Sequence, residues 1–191
     1  MILSAILFFW GVFVSFWIGS AVGNKQNVEE VGARNRLRFG VPLAVAAILL
    51  FHPVIKGVSH VPFIDMPIFF HGSGFVFLGS LVTLSGLLLA IWARMTIGVD
   101  WSSSVTVKED HELITGGPYA YVLHPIYTAV VLMFLGTSFA VGTVGGYLAV
   151  VLALGSFLYK FPLEEAFMLR LFPADYPAYR ARTARLFPGI Y

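Results

Sequence analysis

Residues 111–127 read HELITGGPYAYVLHPIY and lie between two long uncharged runs. They gather His111, Tyr119, Tyr121, His124 and Tyr127 into one turn-rich stretch. Imidazole and phenol groups at the edge of apolar sequence can hold polar ligands, and histidine changes charge near neutral pH. Gly116-Gly117-Pro118 interrupts whatever precedes it, because glycine admits positive φ and proline restricts the residue before it. Pro125 suits the first turn of a new helix. That places His124 at a helix mouth and Tyr127 one turn in, where free N–H groups favour an anion. The pattern predicts a ligand mouth at a membrane surface.

A second polar set follows a further apolar run. Glu164 and Glu165 stand side by side, and Arg170, Arg180, Arg182 and Arg185 come after them. A carboxylate suits an ammonium group or ribose hydroxyls. His124, Glu164 or Glu165 can take a proton from an amine or thiol, whereas a carboxylate acceptor is already ionised and needs no base. Plainer roles fit each group too. His124 can cap its helix, the tyrosines can form an interfacial belt, the glutamates can begin a solvated helix after Pro162, and the arginines can meet lipid headgroups.

The elements that must position these groups are membrane helices. Hydrophobic residues make up 58% of the 191 and charged ones 12%, with mean hydropathy +0.84, which excludes a soluble globular domain. With no cysteine, the chain has neither disulfides, thiolate chemistry nor cysteine-bound metal. Its basic residues flank apolar runs, so they fit lipid headgroups and membrane orientation, not nucleic acid. His52, His60 and His71 fall opposite the candidate site and are not spaced as a metal set, so no metal is expected.

Residues 2–23 carry no charge and are long enough to cross a bilayer; no Lys or Arg precedes them, so a span is preferred to a cleaved signal. Gly19 and Gly23 form a small-residue pair suited to close packing. Residues 39–55 read as a second span, and a run after Asp65, ending at Arg94, as a third with interfacial helix near 66–71. Residues 102–107 alternate like a strand, although an extended loop fits equally. The uncharged run 119–159 is too long for one span and breaks at Gly142, Gly145 and Gly146, which predicts a helical hairpin. The result is an all-α polytopic membrane protein with about five transmembrane helices and a helical tail. It forms a single domain over 1–191, with three spans in 1–95 and the catalytic half in 96–191. Five spans leave only Lys56, of the twelve Lys and Arg, opposite the others. The positive-inside rule then puts the N-terminus outside and the C-terminus and active site in the cytoplasm.

Gly117-Pro118-Tyr119, His124-Pro125-x-Tyr127, Glu164-Glu165, Tyr176-x-x-Tyr179 and Leu186-Phe187-Pro188, in this order, resemble the isoprenylcysteine carboxyl methyltransferase family. Phospholipid N-methyltransferases belong to the same integral-membrane group. Trp101-Ser102 and His111-x-Leu113 match it as well, and the resemblance runs from about residue 91 to the end. It implies a cytoplasm-facing S-adenosyl-L-methionine pocket, roofed by the tail and open sideways for a lipophilic acceptor. On that basis His111, Leu113, Gly117, Tyr119, His124, Tyr127, Glu164 and Glu165 are expected at the cofactor. Tyr127 and Glu165 are also expected at the chemistry, and Arg182 at an acceptor carboxylate. The acceptor implied is a prenylcysteine carboxylate, a lipid amine or a lipophilic thiol. The chain departs from the family at Leu123, where arginine is usual, and an arginine restored there is expected to strengthen cofactor binding. Membrane sterol reductases, which would use NADPH, share a similar C-terminal half, and a non-catalytic protein with a decayed pocket is the third reading.

Overall fold

A computed structural model describes residues 2–21, 27–30, 32–54, 60–68, 72–101, 106–108 and 112–189. Lys25, Lys56, His71 and His111 lie outside them, as does Gly23. Long apolar runs form helices because hydrocarbon offers no partner for the backbone, so every N–H and C=O must be satisfied within the segment. The helices are α1 (Ile2–Ala21), α2 (Ala33–Phe51), α3 (Ser73–Ile97), α4 (Pro125–Val141), α5 (Val144–Leu171) and α6 (Tyr176–Arg182). Among them α1, α2, α3 and α5 are long and apolar enough to cross a membrane, and α4 is a shorter apolar helix of 17 residues. This is an all-helical polytopic membrane architecture. One short antiparallel pairing, β1 (Asn27–Glu30) with β2 (Thr106–Lys108), joins two of its loops. Of the strand reading of 102–107, Thr106 and Val107 fall in β2, and residues 102–105 lie outside the described residues.

Several boundaries differ from the sequence expectation. Helix α2 starts at Ala33, so Arg34, Arg36 and Arg38 belong to its first turns, where the long side chains extend towards polar surroundings. No interfacial helix forms at 66–68. Pro67 instead bridges to Thr143, and Val144 N–H donates to the Met66 carbonyl at 3.0 Å, tying this segment to the α4–α5 turn. That turn is the expected hairpin, with Gly142 in the left-handed conformation closing α4. Pro162 lies inside α5 instead of opening a new helix, so Glu164 and Glu165 are held rigidly near the end of a 28-residue helix.

Helix α4 lies between α3 and α5, while α2 packs mainly on α5 and α1 mainly on α3. The α3–α4 contact is the closest, and glycine makes it. A Cβ at Gly136 would stand 2.5 Å from the Gly79 carbonyl and from Thr83, so only a missing side chain lets the backbones meet. At Gly19, by contrast, an added Cβ would meet nothing within 4 Å among the described residues. Large apolar side chains such as Phe8, Ile48, Phe77, Leu88 and Met95 point outward, as lipid-facing residues should.

Polar contacts define the two ends of the bundle. Arg38 donates to the Tyr159 hydroxyl at 3.2 Å, which sets the start of α2 beside the end of α5. Arg94, buried near the end of α3, donates to the Ser20 carbonyl near the end of α1 and lies 4.8 Å over the Trp101 ring. The start of α4 shares this end. The α4–α5 turn, residues 60–68 and the end of α2 form the other.

Candidate active site

His124 opens α4 because Pro125 fixes the first helical position and leaves His124 outside the helix with φ −126°. The imidazole is buried and stacked on Phe161 of α5, with centroids 4.3 Å apart and planes inclined by 10°. Tyr127 stacks on Phe157, one turn of α5 earlier, at 4.6 Å. Two aromatic pairs therefore fix the α4 groups against α5.

Glu164 is the centre of one polar knot. It accepts a hydrogen bond from the Tyr127 hydroxyl at 2.5 Å, and His124 Nδ1 and Lys160 Nζ each lie 3.4 Å from it. Glu165 is the centre of a second. Arg185 reaches it with two nitrogens, Nε at 2.8 Å to Oε1 and NH2 at 3.2 Å to Oε2, and Arg180 Nε lies 2.9 Å from Oε2. Such two-pronged contact fixes both partners in plane. His124 bridges the knots, since its Nε2 is 3.7 Å from Glu165 Oε1. That distance is too long for a hydrogen bond, and Nε2 is buried with no hydrogen-bond partner among the described residues. Burial pushes the His124 pKa down, but the adjacent Glu164 and Glu165 outweigh it and hold the pKa above the ordinary imidazole value.

The tail is fastened to this region along its length. Leu123 N–H donates to the Ala184 carbonyl at 2.7 Å, His124 N–H to the Arg185 carbonyl at 3.1 Å, and the Thr128 hydroxyl to the Leu186 carbonyl at 2.8 Å. Val122 and Ala184 form a parallel bridge. On α6, the buried Tyr179 donates its hydroxyl to the Tyr119 carbonyl at 2.7 Å, and burial raises its pKa to about 12. Tyr119 is buried as well, and burial together with nearby Glu164 raises its pKa, so it remains a neutral donor.

Of the residues expected at the site, His124, Tyr127, Glu164 and Glu165 are in mutual contact. Tyr119 adjoins them through Tyr179, and Gly117 begins the 3-10 turn Gly117–Ala120 with φ +58°. Leu113 packs with Leu123, Tyr176 and Tyr179 in an apolar cluster beneath the tail. Arg182 is exposed at the end of α6, and Arg180 and Arg185 are the arginines that meet Glu165. Tyr121 is exposed, as a belt tyrosine would be.

Two features were not read from the sequence. One is the setting of Leu123, which is buried in an apolar cluster with Tyr176 and Tyr179. The tail supplies the cations at Glu165. The other is Lys160, buried and centred 5.0 Å over the rings of both Phe39 and Tyr127. Its signal was available. A lysine ends an uncharged run of forty-odd residues and stands one turn before a glutamate.

What fold and site define together is a helical membrane protein whose basic tail folds back over a buried histidine–glutamate centre. Residues 75–175 match the phospholipid methyltransferase family, and the chain belongs to it. It is 32% identical over 120 residues to protein-S-isoprenylcysteine O-methyltransferase of Schizosaccharomyces pombe, covering 61% of this chain and 48% of that protein. A shorter match, 35% over 54 residues, links it to the uncharacterised protein YpbQ of Bacillus subtilis, covering 28% and 32%. The matches thus span half or less of these curated relatives.

Proposed function

We propose that this chain transfers a methyl group from S-adenosyl-L-methionine to a lipophilic acceptor at the membrane surface. The observation that carries this reading is the closure of the tail over His124, Tyr127, Glu164 and Glu165. Five hydrogen-bonded or ionic links hold Leu123–Thr128 and Glu165 to Arg180–Leu186. A pre-organised polar centre shielded from water is what a displacement needs, since positioning and exclusion of solvent supply most of the catalysis.

The residues present fit the cofactor. His124 Nε2 is a buried polar atom without a partner, the kind of group a bound ligand satisfies. Carboxylates and arginines meet at the same centre, and groups of both signs suit the ammonium and carboxylate of an amino-acid moiety. When bound, S-adenosyl-L-methionine supplies an electrophilic methyl group on a sulfonium. His111, Leu113, Gly117, Tyr119, His124, Tyr127, Glu164 and Glu165 are the proposed contacts. Tyr127 and Glu165 orient groups at the reacting centre, and Arg182 meets acceptor groups that stay at the surface. Acceptors of this class are a prenylcysteine carboxylate, a lipid amine or a thiol. A carboxylate acceptor needs no proton removed, and for an amine or thiol Glu164, tied to Tyr127 and His124, is placed to take it.

The site end of the bundle is proposed to face the cytoplasm, with the N-terminus outside. Support comes from Arg34, Arg36, Arg38, Lys160, Arg180 and Arg185, which lie at or near that end. Titration of purified protein in detergent with S-adenosyl-L-methionine and with NADPH tests the function. Saturable binding of the first alone is expected, and binding of NADPH alone would transfer the chain to the reductase reading. Tags at the two termini should be accessible from opposite sides; a shared side would end the five-span topology.

A further inference from the structure

A cavity of about 430 Å³ lies between α1 and α2, backed by α4 and α5. Its floor is closed by Trp10, whose ring meets Phe51 at 5.4 Å and Phe134 at 5.5 Å edge-on, and whose indole N–H donates to Thr137 at 3.0 Å. Away from one end its walls are aromatic and aliphatic. From Trp10 to Trp17 it follows seven residues of α1, about 10 Å at the helical rise. Trp17 and Trp101, edge to face at 5.6 Å, mark its far end.

That end is polar, and it adjoins the candidate active site. Tyr127 and Lys160 line the cavity and both contact Glu164, at 2.5 Å and 3.4 Å. Ser156, the other polar lining group on α5, donates to the Phe39 carbonyl. A lysine buried in a membrane helix is costly, and where one persists it marks a pathway or a ligand. Lys160, Arg180 and Arg185 gather positive charge around Glu164 and Glu165 at this end.

We propose that this cavity takes the hydrocarbon chain of the methyl acceptor and that Lys160 anchors its anionic head beside Tyr127 and Glu164. The proposal deepens the methyl-transfer reading and rests on it for the word acceptor. It makes Lys160 a specificity-determining residue: the ammonium selects an oxyanion over an amine, and the aromatic walls select a single apolar chain. With the head at Lys160, the reacting oxygen stands at the boundary between the cavity and the Glu164 centre. A carboxylate oxygen would form the new bond to the methyl carbon as the carbon–sulfur bond breaks, its electron pair passing to sulfur, with no proton released.

The cavity tryptophans provide a readout that does not depend on turnover. Full-length protein in detergent is titrated with dibromostearate, whose bromines quench tryptophan fluorescence, and with its methyl ester. Saturable quenching is expected for the acid, with the ester weaker by on the order of tenfold, the size of a lost charge-assisted contact. Lys160→Met should erase that difference and Lys160→Arg should restore most of it. Gly40→Leu is the second variant. Gly40 lines the cavity, and a Cβ there meets nothing within 4 Å, so the side chain has room without disturbing the fold. It should weaken acid and ester alike. Equal binding of acid and ester to the unaltered protein, or displacement by stearylamine as effective as by stearate, would overturn the proposal. So would unchanged selectivity in Lys160→Met. S-adenosyl-L-methionine is titrated into the same samples. Lost cofactor binding with intact Lys160-dependent selectivity would sink the methyl-transfer reading and leave the anion site standing; the reverse result would sink the anion site alone.

Discussion

Both ends of the helix bundle set histidine against carboxylate, with opposite outcomes. At the α4–α5 turn end, Asp65 takes His52 Nδ1 at 3.0 Å and His60 Nδ1 at 2.9 Å, and accepts the Val61 N–H at 2.8 Å. These partners are near in sequence, His60 is 69% exposed, and the Val61 hydrogen bond holds the Asp65 pKa below the usual carboxylate range. Asp65 is thereby saturated. The arrangement ties a loop to the end of α2, and among the described residues it presents no buried side-chain group without a hydrogen-bond partner. At the other end, His124, Glu164, Glu165 and Arg185 come from three distant segments, His124 is buried, and its Nε2 is unsatisfied. Residue type does not separate a loop clasp from a candidate site. Burial, convergence from distant segments and unspent hydrogen-bonding capacity do.

The comparison breaks most visibly at position 123. If the centre draws its cations from the tail, Leu123 serves only the apolar cluster with Tyr176 and Tyr179. Leu123→Arg would then bury an unpaired charge and cost about 3 kcal/mol or more, whereas Leu123→Met would cost less than about 1.5 kcal/mol. Thermal unfolding in detergent checks both, with cofactor affinity falling alongside stability in the arginine variant. Tighter cofactor binding by a well-folded Leu123→Arg protein would mean that this position reaches the pocket after all.

A smaller effect sharpens the contrast between the two histidines. His124→Ala removes a buried, charge-assisted contact and should weaken S-adenosyl-L-methionine binding about tenfold or more, or 1.5–3 kcal/mol on the usual scale. Glu165→Ala should do likewise, because Arg180 and Arg185 lose the carboxylate that orients them. His52→Ala should leave cofactor affinity unchanged. Equal losses in all three, read by calorimetry on folded protein, would show general destabilisation in place of a site.

What the sequence made legible follows from the range over which each signal acts. Apolar runs and their glycine break report on local chain chemistry, so four long helices and the α4–α5 hairpin could be read directly. His124 and Tyr127 were readable because Pro125 fixes the helix start within one turn of both. The partners of Glu165 were not. Arg180, Arg182 and Arg185 are alike in type and lie within six positions. Which of them turns inward depends on how α6 ends and on the pairing of Ala184 with Val122, a tertiary contact with no local mark. The setting of Leu123 was hidden for the same reason: its neighbours include Met168 of α5 and Tyr176 and Tyr179 of α6, far along the chain.

The smallest expected effect concerns pH, and it tests the charge state at the centre of the contrast. His124 is held above the ordinary imidazole pKa because two carboxylates outweigh its burial. A raised folded-state pKa means that protonation favours the folded form. The contribution is therefore complete below the unfolded value of about 6.5 and fades as pH rises through the folded value. His124→Gln keeps a donor of similar reach and removes the titration. The stability difference between the two proteins should be largest at mildly acidic pH and shrink as the buffer moves into the alkaline range. The same series on His52→Gln gives the other end of the bundle, where His52 shares Asp65 with His60 and with a backbone N–H. A difference that grows towards alkaline pH in the His124 pair would mean that burial wins over the carboxylates. Glu164 and Glu165 would then face a neutral imidazole, and Tyr127, Lys160 and the tail arginines would be left to balance them.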